Sequence, residues 1–154
     1  MERLLCNVSL LISVMFSFFE CAMDYIYPVE IYNNSSQDII CNICTGYPEE
    51  SLFPDTTLSE FFEYKVYAKK SRSIGSSVKW SDKYEYLQTD TLCMFLLSAD
   101  TLEKYGWEKV SKEYMILQRY DLSLEDLRLH DYKFYYPPTV KMKDIKMFPP
   151  YKRE

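Results

Sequence analysis

Apolar positions fall into one long run at the N-terminus and a series of short, mostly alternating runs after it. From Tyr25 to Asn33, Ile26, Pro28 and Glu30 share one face, while Tyr27, Val29 and Ile31 share the other. Alternation of this kind predicts a half-buried strand. Asn33-Asn34-Ser35-Ser36 has turn chemistry, and Asp38 to Cys44 resumes a strand-like pattern, so the pair predicts an antiparallel hairpin. Pro48 and Pro54 mark a loop from Gly46 to about Ser59. Phe62 to Ala68 alternates again, Ser71 to Ser77 is Ser/Gly-rich and reads as a mobile loop, and Trp80 to Gln88 has room for a short helical turn.

Thr91 to Leu97 is apolar on both faces, which predicts a central strand covered on both sides. Asp100, with Glu103 three residues later, forms an acidic variant of the capping box and predicts a helix start; Gly106 breaks it. Trp107, Val110 and Tyr114 recur at three- and four-residue spacing and so form one apolar helical face. Met115 to Leu122 reads as a strand, Ser123 as the cap of a second short helix, and Asp131 to Tyr136 as a strand ending at Pro137-Pro138. In the tail, Lys141, Lys143 and Lys146 read as a solvated stretch more than a binding patch. The expected fold is mainly β: an antiparallel β-sandwich of about six or seven short strands, with two short helices inserted between strands. An α+β sheet with helices on one face is the alternative.

The N-terminal run from Leu4 to Phe19 carries no charge, yet it is shorter than the roughly 20 apolar residues of a spanning helix. It fits the apolar core of a signal peptide, and Cys21 stands where a bacterial lipoprotein carries its lipidated cysteine. Glu20 departs from the small residue preferred before that cysteine. An uncleaved anchor, an ordinary signal peptide and a buried N-terminal helix are the competing readings. The expected organisation is a targeting segment over 1–22, one β-rich domain over 23–138 and a tail over 139–154.

Composition reinforces the β reading. There are 15 Tyr but only 3 Gly, and aromatic residues suit pleated, half-buried surfaces. A net charge of −5 gives no general attraction for phosphate backbones, so no nucleic-acid partner is expected. Gly-rich phosphate cradles are absent from the sequence.

Four segments carry a resemblance: Pro28 to Ser35, Ala99 to Tyr105, Ile116 to Leu127, and Tyr136-Pro137-Pro138 with Asp144 to Tyr151. Together they resemble a group of small, uncharacterised exported lipoproteins of gut Bacteroidales, over about residues 28–151. The resemblance implies export to the cell envelope and lipidation of Cys21, tethering the chain to a membrane on its periplasmic or cell-surface side. It carries no activity and assigns no catalytic residue.

Candidate chemistry centres on the cysteines. Cys41 and Cys44 form a CxxC, but in a predicted strand residues three apart point to opposite faces, unlike the helix N-terminus of redox proteins. A bridge from Cys93 to Cys41 or to Cys44 suits an oxidising compartment. A zinc site would need Cys41, Cys44, Cys93 and His130 together; no second CxxC supports one, and no metal or cofactor is assigned. His130, the only histidine, has no nucleophile tied to it by sequence. Trp80 and Trp107 are candidates for a glycan platform but are explained by packing. Asp55-Thr56-Thr57 matches a short O-glycosylation pattern. The expected function is a non-catalytic envelope accessory or binding module for a protein or glycan partner; the alternative is a thiol-active periplasmic protein using Cys41 and Cys44.

Overall fold

The computed structural model describes residues 26–44, 64–87 and 89–152. The expected signal segment with Cys21, the Gly46–Ser59 loop with Asp55–Thr57, and the start of the Phe62–Ala68 run all lie outside them. The described residues form two sheets with three α-helices. The strands are β1 (Tyr27–Asn33), β2 (Ile39–Cys44), β3 (Lys65–Val66), β4 (Ser71–Ser76), β5 (Leu92–Ser98), β6 (Gln118–Leu122), β7 (Lys133–Tyr136) and β8 (Lys146–Phe148). The helices are α1 (Trp80–Glu85), α2 (Ala99–Lys112) and α3 (Leu124–Leu129). The mainly β sandwich expectation holds.

One sheet has the order β4-β1-β7 and the other β3-β2-β5-β6-β8. Their inner faces meet in one core: Val29, Ile31, Ile74 and Phe134 from the first sheet pack with Ile39, Cys41, Met94, Leu96, Tyr120 and Leu122 from the second. Tyr120 spans the layers, its hydroxyl donating to Tyr135 O at 2.7 Å. On the outer face of the five-stranded sheet, Ile40 and Leu97 pack against Leu102 and Val110 of α2. The architecture is therefore three-layered, sheet on sheet on helix. β5 is buried at every position, as its doubly apolar pattern requires.

Several expectations are corrected. β1 and β2 are not a hairpin: β1 pairs antiparallel with β4 and parallel with β7, and β2 pairs with β3 and β5. The reason lies in their faces. β2 opens with three consecutive buried residues, Ile39, Ile40 and Cys41, and needs cover on both sides, whereas β1 alternates and leaves one face partly solvated. The Asn/Ser turn acts as a transfer between sheets. Buried Asn33 accepts from Ser35 N at 3.0 Å and donates to Gln37 O at 2.7 Å and Val66 O at 3.1 Å.

The Ser71–Ser77 segment is a strand, not a loop. Its only buried side chain is Ile74; the rest of β4 is held by backbone pairing with β1, which residue preferences do not register. Gly75 lies opposite Pro28, and a side-chain carbon there would run into Ile26. The cap of α2 is Ser98, not Asp100: its Oγ accepts from Thr101 N at 3.3 Å, so β5 passes straight into the helix. Gly106 interrupts α2 with a φ of 74°, as its position predicts. Ser123 caps α3 in a full capping box with Asp126. Finally, the C-terminal tail packs into the core although its lysines are solvated, as expected. Met142 and Ile145 are buried in the main core and β8 pairs with β6.

Candidate functional site

Strand register decides the fate of the cysteines. Cys41 lies opposite Leu96 on the inner face and is fully buried; burial pushes its thiol well up from the ordinary range. Cys44 lies directly opposite Cys93, on the outer face beneath α2. The CxxC pair thus points to opposite sides of one sheet, while Cys44 and Cys93 are neighbours. Cys41, Cys44, Cys93 and His130 do not converge. His130 ends α3 and packs its ring 5.9 Å from that of Phe134. Among the described residues, no group of three His, Cys, Asp or Glu side chains is placed to hold a metal.

The Cys44–Cys93 pair continues across the sheet as a row with Asp121 and Lys146. Asp121 is buried, yet it is ionically matched: Arg119 Nε lies 2.8 Å and Lys146 Nζ 3.6 Å from its carboxylate. The Nε contact is a charge contact and not an aligned hydrogen bond; Arg119 Nη2 makes the bond, donating to Oδ2 at 3.2 Å. Arg119 Nη1 also donates to Tyr114 Oη at 2.7 Å. Burial opposes the Arg119 charge, but Asp121 and Tyr114 outweigh it and hold the guanidinium pKa above its usual range. Cys93 Sγ donates to Asp121 Oδ1 at 3.4 Å. Burial, then the adjacent carboxylate, pushes that thiol up to about 12. Phe95, Trp107, Tyr114 and Ile116 close over this row. The arrangement fastens β5, β6 and β8 together. Its signal was present in the sequence: in Arg119-Tyr120-Asp121, strand alternation puts opposite charges on one face.

The second feature is a cleft of about 380 Å³ at the margin of the three-stranded sheet. Tyr27 and Tyr132 supply aromatic surface beside the nearly buried Trp80, and Lys79, Arg128, Lys133, Glu30 and Asp131 supply charge. Trp80 is no open platform. It is 4% exposed, with Nε1 donating to Tyr27 O at 3.1 Å and Lys83 Nζ 5.1 Å over its ring. Trp107 is likewise packed, against the Cys93–Phe95 cluster. Asp131 and Tyr132, consecutive at the cleft, both adopt left-handed backbone, with φ of 51° and 58°. Such residues cost about 1–3 kcal/mol each when strained and persist where surrounding structure enforces them. Here Tyr132 N donates to Leu127 O and Glu30 N donates to Tyr132 O, both at 2.8 Å. The lining comes from separate segments, so no local sequence pattern marks the cleft.

A wider open groove of about 1010 Å³ runs past Pro137, Pro138, Val140 and Pro149, and Gln118 Nε2 donates to Pro149 O at 2.7 Å beside it. Among the described residues no helix is long and apolar enough to cross a membrane. No family of proteins, curated protein or solved structure matches the chain.

Proposed function

We propose that this chain is an exported, lipid-anchored module of the cell envelope that binds a glycan through the Tyr27–Trp80–Tyr132 cleft and performs no catalysis. Export and anchoring are supported by the uncharged run from Leu4 to Phe19, with Cys21 just past it. The observation that carries the binding reading is the pair of consecutive left-handed residues, Asp131 and Tyr132, held by backbone hydrogen bonds at a concavity where aromatic surface meets Arg128 and Lys133. Concave sites with apolar walls and a few convergent polar groups are the usual ligand sites. A sugar offers an apolar ring face to Tyr132 and hydroxyls or an acidic group to the cations.

A CxxC thiol chemistry has no support in the geometry: Cys41 is sealed in the core, on the opposite face from Cys44. The test is calorimetric titration of the detergent-solubilised full chain with a panel of neutral and acidic oligosaccharides. Saturable binding of an acidic member, lost in Arg128→Ala with Tyr132→Ala, is expected. Absence of binding across the panel, or binding that survives the double substitution, refutes the cleft. Labelling cells with a palmitate analogue checks the anchor, since the label should vanish in Cys21→Ala.

A further inference from the structure

We infer that Cys44 and Cys93 form a cross-strand dithiol–disulfide site, which takes a disulfide of the glutathione class as oxidant, and that Cys41 is excluded from it. The register places the two residues face to face on neighbouring antiparallel strands. Residues so opposed have Cα atoms about 4.5–5.5 Å apart, inside the span of about 4.4–6.8 Å that a disulfide bridges. Both side chains belong to the same outer-face cluster, with Phe95, Trp107, Tyr114 and Ile116. Cys41 pairs with Leu96 and points through the other side of the sheet, into the sandwich core. Of the two candidate partners of Cys93, the fold thus selects one.

Burial assigns the order of events. Cys44 is half-buried, whereas Cys93 is 4% exposed. The Cys44 thiolate attacks one sulfur of oxidised glutathione; the glutathione S–S bond breaks, and one glutathione leaves as a thiolate that takes up a proton. Cys93 Sγ then attacks Cys44 Sγ, and the Cys93 proton passes through water to the sulfur of the departing second glutathione. The mixed disulfide breaks, and the second glutathione leaves. Two protein thiols lose two electrons, and one glutathione disulfide gains them as two thiols. The product links β2 to β5 across the whole stretch of chain between them, which stabilises chiefly by restricting the unfolded state.

The site is independent of the glycan cleft. The full chain, purified reduced, is incubated with oxidised glutathione, alkylated, digested and mapped by mass spectrometry. One cross-linked peptide joining Cys44 to Cys93 is expected, with Cys41 alkylated only after denaturation. The same cross-link should persist in Cys41→Ser, and the urea midpoint should move upward on oxidation. Cys93→Ser should instead trap a lasting glutathione adduct on Cys44. A cross-link to Cys41, separate adducts on Cys44 and Cys93, or two unreacted thiols there would each overturn the inference.

Discussion

Met142→Ala is the sharpest test of how the C-terminal segment is built. Met142 is fully buried in the main core, although it sits between exposed Lys141 and Lys143. Truncating a buried Met, Leu or Ile to Ala costs about 2–5 kcal/mol, the spread reflecting how far the site collapses. Met142 lies on a single 3₁₀ turn, Val140–Met142, which has more freedom to settle inward than a central strand, so the lower half, about 2–3 kcal/mol, is expected. With a urea slope of about 1–3 kcal/mol per M, that loss moves the midpoint down by roughly 0.7–3 M. Set against a total stability of about 5–15 kcal/mol, the change is large but leaves a folded protein. Urea unfolding followed by fluorescence of buried Trp80 provides the assay, with Lys143→Ala as control, expected within about 0.5 kcal/mol of the parent. If Met142→Ala shifts the midpoint no further than Lys143→Ala at equal slope, the segment is a solvated tail and its place in the core is wrong.

Two further outcomes follow from buried polar groups. Arg119→Met leaves buried Asp121 with the Cys93 thiol and one cation, Lys146, 3.6 Å away and largely exposed, and should cost about 3 kcal/mol in the same assay. Adding Asp121→Asn should recover much of that loss, and no recovery would deny that an uncompensated charge is its cause. Burial holds the Tyr84, Tyr120 and Cys93 pKa values above their ordinary ranges, Cys93 at about 12. Their contribution to stability is complete below the unfolded pKa values, about 8.5 for Cys and 10 for Tyr, and is lost as pH rises beyond them. Thermal melts should therefore show a midpoint falling steadily above about pH 9–10; a flat profile through pH 11 would contradict the burial of these groups.

Much of the fold was legible because some segments carry their whole signal locally. β5 is apolar on both faces, Ser123 and Asp126 form a capping box, and Pro137-Pro138 ends β7. What escaped depends on distant partners. β4 owes its place to backbone bonds with β1 and to Ile74 alone, so its serines read as a loop. β1 and β2 each looked like half of a hairpin, and only the demand of Ile40 for cover on a second face separates them. Met142 and Ile145, three residues apart among lysines, were too sparse to mark a core segment. The cleft draws on residues that meet only in the folded chain. The cysteines fall between these cases: strand parity already set Cys41 against Cys44, but choosing the partner of Cys93 required the register of β2 on β5.

The parallel pairing of β1 with β7 has a consequence for timing. Glu30 finds its partner only at Lys133, near the far end of the chain. At a synthesis rate of about 5–20 residues per second, the first strand waits several seconds for its last neighbour. During that interval one edge of β1, with Val29 and Ile31, stays open to any passing strand. Topologies so dominated by non-local contacts fold slowly. A chain delivered N-terminus first must therefore be held apart from its copies until almost all of it has arrived.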